Sequence, residues 1–109
     1  LLVAPPAQAA WTGVKSLHGA RVQVCAVPAG SATRVRVRVD NRRSDHAHVG
    51  VLQTYDGRRN RQVQAAPGRL SGVQSLVVGR RVRVVAGVSE PGGSGVVSGV
   101  RRASRIGRC

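Results

Sequence analysis

The sequence predicts an all-β fold: a small antiparallel β-sandwich of immunoglobulin-like size, with a small β-barrel as the alternative. Three observations lead to this prediction. Valine is the commonest apolar residue, Phe and Met are absent, and β-branched side chains suit pleated strands. Apolar and polar residues alternate with a period of two in several segments, which Gly, Pro or Asp residues separate. A chain of 109 residues is long enough for one domain with one core.

About seven short strands follow from this alternation. They span 20–27, 33–40, 47–55, 58–65, 70–78, 81–88 and 96–102. The Asp56-Gly57 pair is the clearest hairpin signal, because a type I′ turn needs positive φ at both of its central positions. In the second strand, Val35, Val37 and Val39 are expected to face the core. No segment shows helical periodicity.

The first nine residues, LLVAPPAQA, have the character of a processing signal. An apolar run is followed by Pro5-Pro6 and by Ala7-Gln8-Ala9, a small-x-small pattern that is typical of a cleavage site. We therefore expect 1–9 to be a signal-peptide remnant and 10–109 to be a single secreted β domain. The alternative is an Ala/Pro-rich leader of the domain. No apolar run approaches the ~20 residues that a membrane span needs.

The two cysteines, Cys25 and Cys109, are consistent with export. In an oxidising compartment, a single pair is expected to form one disulfide. Two lone cysteines far apart in sequence cannot supply a four-cysteine zinc site, and no CxxC motif is present.

The formal net charge of +14 is the strongest feature of the composition. Basic residues form three clusters that we predict to be anion-binding: Arg34, Arg36 and Arg38; Arg58, Arg59 and Arg61; Arg80, Arg81 and Arg83. Three such clusters on a small domain produce a positive surface that attracts polyanions. The alternative is that the arginines reflect the codon bias of a high-GC genome and only cover the solvent face of the strands.

Motifs for catalysis are missing from the sequence. There is no G-x-S-x-G nucleophile elbow and no phosphate-binding loop. Three of the four acidic residues, Asp40, Asp45 and Asp56, lie at predicted strand ends or turns, where acids usually bond to nearby backbone N–H groups. We therefore expect no enzyme activity.

The weak metal candidates are His46 and His48. In a strand, they would point to the same face about 6.5–7 Å apart, with Asp45, Asp40 or the distant His18 as a third ligand. Solvated surface histidines are more common than ligands in such a pattern. We therefore expect neither a metal nor a cofactor.

The two aromatic residues are expected to have structural roles. Trp11 would cap an open edge of the core, and Tyr55 would stack on Arg58 or Arg59.

These features predict a secreted, cationic, non-catalytic monomer that binds an anionic extracellular polymer, a membrane surface or an acidic protein. Specific recognition of nucleic acid is not expected, because stacking platforms require more aromatic residues. The alternatives are a cytoplasmic nucleic-acid-associated protein, a secreted protease inhibitor acting through the loop 89–95, and an antimicrobial protein.

Overall fold

A computed structural model of the protein describes residues 10–109, so the expected signal-peptide remnant 1–9 lies outside the described residues. The strands are β1 (Thr12–Leu17), β2 (Ala20–Ala29), β3 (Ala32–Asp40), β4 (His48–Thr54), β5 (Asn60–Ala65), β6 (Gln74–Gly79), β7 (Arg83–Ser89), β8 (Gly95–Val97) and β9 (Arg101–Arg102). One antiparallel sheet has the order β1-β2-β3-β6, and the other has β5-β4-β7-β8 with β9 also paired to β7. The predicted β-sandwich is therefore confirmed, and the β-barrel alternative is wrong.

The path of the chain gives the sandwich two distinct ends. One end carries the β2–β3 turn, the β4–β5 loop, the β6–β7 turn and the C-terminal segment, and we call it the arginine end. The other carries the β1–β2 turn, the β3–β4 loop and the loop that follows β7, and we call it the histidine end. No helix within 10–109 has the length and apolar character needed to cross a membrane.

The core between the sheets is filled mainly by valine. Val35, Val37 and Val39 are fully buried, as the alternation predicts, and Val22 and Val24 of the neighbouring strand are buried beside them. Leu52 and Leu76 are the largest apolar side chains that are fully buried. Because valine is stiff at χ1, such a core is ordered at little cost in side-chain entropy.

Two strand predictions need correction. The strand β1 was not predicted, because its register against β2 shifts between Gly13 and Lys15 and this irregularity hides the alternation. The segment 96–102 forms two short strands, β8 and β9, rather than one. Residues 10–109 therefore contain nine strands, where the sequence predicts about seven.

The hairpin predicted at Asp56-Gly57 joins β4 to β5, but its turn is not type I′. Among the non-glycine residues described, only His18 has a positive φ; Gly57 has φ +76°. The side chain of Asp56 instead accepts hydrogen bonds from Thr54 Oγ1 and the Arg58 amide. The tight turn with positive φ at both central positions is His18-Gly19, at +47° and +87°.

The predicted disulfide between Cys25 and Cys109 is confirmed. It joins the chain end to β2, and the two residues are 84 apart in sequence. Backbone hydrogen bonds continue this attachment: the Ala26 amide donates to Gly107, and the Cys109 amide donates to Ala26. The C-terminal segment is thus fixed beside the first sheet.

Candidate anion-binding surface

The arginines of β3 lie on the outer face of the first sheet, opposite the buried valines. Arg34 is exposed, whereas Arg36 and Arg38 are half-buried. In the register of the sheet, Arg36 lies opposite Cys25 and Arg34 lies opposite Val27. The three side chains therefore share a face but not an environment.

Arg38 is engaged by its neighbours within the protein. Its guanidinium lies 4.4 Å from the ring centroid of Trp11, and its Nε donates a 2.7 Å hydrogen bond to Gln23. Desolvation by burial is the main cause that lowers the pKa of Arg38. Trp11 thus covers the Arg38 guanidinium on the outer face of the sheet. This position differs from the expected one at an open edge of the core.

The cluster after the β4–β5 hairpin is exposed, and two of its arginines make local contacts. Arg59 Nη1 donates to the Val77 carbonyl of the other sheet at 2.7 Å, and Arg61 Nη1 donates to the Asn60 carbonyl. The expected stacking partner of Tyr55 is wrong: Arg83, not Arg58 or Arg59, lies 4.8 Å from its ring centroid.

The third cluster begins at the β6–β7 turn, where Arg80, Arg81 and Arg83 are all exposed. The C-terminal segment folds against this turn. The Ala103 amide donates to Val82, and the Ser104 amide donates to Arg80. This contact brings in a fourth group of arginines that the sequence analysis did not single out: Arg101, Arg102, Arg105 and Arg108. The sequence shows these four arginines within eight residues, but only the topology places them beside the third cluster.

Charge is distributed unevenly between the two ends of the sandwich. The arginine end holds Arg34, Arg58, Arg59, Arg80, Arg81, Arg83, Arg101, Arg102, Arg105 and Arg108. Of the four acidic residues, only Asp56 lies there. Asp40, Asp45 and Glu90 all lie at the histidine end. Asp40 is ionised and paired with Arg42, since hydrogen bonds from the Arg42 side chain are the main cause that lowers the pKa of Asp40 to about 2.

A shallow cleft of about 270 Å³ opens at the arginine end. Its lining includes the exposed Arg80, Arg108 and Ser104 and the buried Thr33, Ala103 and Ile106. Guanidinium groups can donate two parallel hydrogen bonds to a phosphate, sulfate or carboxylate. The cleft is therefore suited to one anionic group of a larger polymer.

The histidines predicted as weak metal candidates do not share a strand. His46 lies in the β3–β4 loop and is exposed, whereas His48 is the first residue of β4 and is fully buried. Their ring centroids are 4.6 Å apart. Both face Glu90, which the sequence analysis did not select, and His18 joins them from the β1–β2 turn. Hydrogen bonds from His18, which is the largest cause, and from His46 lower the pKa of Glu90 to about 2.

Comparisons with known protein families, with curated proteins and with solved structures found no match to this chain.

Proposed function

We propose that this domain binds an anionic polymer or surface outside the cell through its arginine end, without catalysis. The observation that carries the proposal is the separation of charge. The arginine end gathers side chains from four segments with a single acidic residue, Asp56, among them. Ion pairs within the protein therefore cannot neutralise the positive charge of this end. An external polyanion would neutralise it.

The expected binding is electrostatic and weakly selective. Each contact between a cation and a polyanion releases condensed counterions, so affinity falls steeply as salt rises. Base stacking would require free aromatic faces, but Trp11 and Tyr55 already lie against Arg38 and Arg83. This arrangement favours recognition of charge density over recognition of a nucleic-acid sequence.

The disulfide favours a location in an oxidising compartment, because such bonds are rare in reducing cytosol. Wall polymers, sulfated or phosphorylated polysaccharides, anionic lipid headgroups and acidic proteins are the polyanions available there. All of these ligands carry a high density of negative charge.

The test compares two variants of equal charge. Replacing Arg80 and Arg81 with Gln removes two cations from the arginine end, and replacing Arg43 and Arg69 with Gln removes two exposed cations from the histidine end. With duplex DNA as a test polyanion, each lost phosphate contact lowers the log–log salt slope by about 0.9. We expect a reduction of up to about 2 in the first variant and less than half of that in the second.

Equal losses in the two variants would show that net charge alone governs binding, and the proposed surface would be wrong. Binding that is independent of salt would contradict the electrostatic mechanism itself. The same pair of variants, assayed on vesicles that contain anionic phospholipid, would show whether a membrane uses the same surface.

A further inference from the structure

We propose that His18, His46, His48 and Glu90 bind a divalent transition-metal ion of the zinc type at the histidine end of the sandwich. His18, His46 and His48 are the three histidines of the chain. They come from the β1–β2 turn, the β3–β4 loop and the start of β4, and they meet a carboxylate that follows β7. The proposal is independent of the anion-binding surface, which lies at the opposite end.

One nitrogen of each histidine faces the same oxygen, Glu90 Oε1. His46 Nε2 lies 2.9 Å from Glu90 Oε1, and His48 Nε2 lies 3.5 Å from the same oxygen. His18 Nδ1 contacts this oxygen as well. Donor atoms of His18, His46 and Glu90 all lie within 4.8 Å of one another. Four-coordinate zinc holds its ligand atoms about 3.3 Å apart, given bonds of about 2.0 Å, so small side-chain movements would complete the shell.

His48 supplies an independent indication that a cation belongs here. The side chain is fully buried, and its Nε2 has no hydrogen-bond partner among the described residues. Its Nδ1 lies 3.2 Å from the His46 carbonyl oxygen and 3.3 Å from Ser44 Oγ, and the Ser44 hydroxyl donates to the same carbonyl. With the Ser44 hydrogen used in this way, both neighbours of Nδ1 are acceptors. This arrangement favours the tautomer with its proton on Nδ1, in which the Nε2 lone pair lies 3.5 Å from Glu90 Oε1. Such a buried, unpaired lone pair is costly, and a metal ion between the two acceptors would satisfy both.

His46 has the second contact that metal-binding histidines usually have. Its Nδ1 lies 2.7 Å from Asp45 Oδ1, so a proton on Nδ1 can be donated to this carboxylate. This hydrogen bond leaves Nε2 free as a ligand and fixes the orientation of the ring, as in carboxylate–histidine–metal triads. Hydrogen bonds to the carboxylates of Asp45 and Glu90 raise the pKa of His46, so in the absence of a metal they favour the imidazolium form.

The segments that carry the ligands are held firmly in place. Asn41 is fully buried, and its side-chain amide donates to the carbonyls of His46, Ala65 and Ala66. A Cβ on Gly19 would come within 2.6 Å of the Arg43 carbonyl, so the β1–β2 turn lies directly on the β3–β4 loop. His18 adopts a φ of +47°, which is uncommon for a residue other than glycine. Such conformations are often found at functional sites.

The donor set selects the class of metal. Three imidazoles and one carboxylate suit zinc and its transition-metal neighbours, whereas calcium and magnesium prefer shells made of oxygen alone. Both cysteines are in the disulfide and cannot act as thiolate ligands. With four protein ligands the shell is closed, which is typical of a structural metal.

The variant His18→Asn gives a clean test. Asn followed by Gly is the preferred pair for a turn with positive φ at both central positions, so the fold should be retained while one ligand is lost. Chelator-treated full-length protein is titrated with Zn²⁺ by calorimetry and is melted with and without Zn²⁺. We expect one Zn²⁺ per chain, a rise in Tm of several degrees, and an affinity at least tenfold lower in His18→Asn.

Glu90→Gln and His46→Gln provide second measurements, since neither residue is buried. Both should also lose at least tenfold in Zn²⁺ affinity, and Mg²⁺ should raise the Tm of no variant. The proposal is overturned if Zn²⁺ leaves the Tm of the parent unchanged. It is equally overturned if His18→Asn, shown to be folded by circular dichroism, binds Zn²⁺ as tightly as the parent.

Discussion

At the scale of single residues, the three arginines of β3 illustrate how one pattern can cover different roles. Alternation predicts that Arg34, Arg36 and Arg38 share the solvent face, and they do. It does not predict that Arg38 lies beneath Trp11 or bonds to Gln23. The first contact depends on the position of the chain before β1, and the second depends on the register of β3 against β2. Sequence reasoning gives the face of a side chain but not its neighbours.

We predict that Arg38→Gln destabilises the protein by about 1–2 kcal/mol, since it removes a charge-assisted hydrogen bond and a cation–π contact. The matched variant Arg34→Gln, at an exposed position of the same strand, should stay within about 0.5 kcal/mol of the parent. Urea unfolding measures both. Equal stability of the two variants would mean that the Trp11–Arg38–Gln23 contact contributes nothing.

At the scale of strands and turns, the regular strands could be predicted, including the edge strands β5 and β6, whereas the bulged and very short strands could not. The valine alternation of β2 and β3 marks the buried face directly. The bulged edge strand β1 and the short strands β8 and β9 carry no such pattern, because an edge strand is paired on one side and tolerates irregularity. The His18-Gly19 turn was missed because Asn-Gly and Asp-Gly, not His-Gly, are the pairs that signal a turn with positive φ at both central positions.

The metal candidates show the same limit at a site. The spacing of His46 and His48 drew attention to the pair, but Glu90 and His18 are brought there only by the strand order. The sequence analysis named His18 as one of three possible third ligands, but no local signal could select it over the others or point to Glu90. The disulfide could be predicted by contrast, because two cysteines allow only one pairing.

Gly50 of β4 tests how tightly the valine core is packed. A Cβ at this position would lie 2.4 Å from Val39 Cγ2 and 3.0 Å from Val63 Cγ2. We predict that Gly50→Ala costs about 1–3 kcal/mol through overpacking. The control is Gly72→Ala, where a Cβ would meet no atom within 4 Å, and it should be neutral or slightly stabilising. Thermal unfolding compares them; a neutral Gly50→Ala would show that the core has free volume at this point.

At the scale of the whole molecule, the disulfide and the strand topology together determine the arrangement of the domain. The Cys25–Cys109 bond closes most of the chain into one loop, which in the loop-entropy description stabilises the folded state by roughly 4–5 kcal/mol. It also fixes the C-terminal segment beside β2, so that Ser104 and Arg108 lie near Arg80. The same topology sends three of the four acidic residues to the other end.

The central claim is that the arginine end, and not net charge as a whole, binds the polyanion. Amide chemical-shift mapping during titration with a short sulfated oligosaccharide tests this claim most directly. We predict that the shifts cluster at Arg80, Arg81 and Ser104, around the cleft, and that the signals of Asp45 and Glu90 stay unchanged. Shifts spread evenly over both ends of the sandwich, or concentrated at the histidine end, would contradict it.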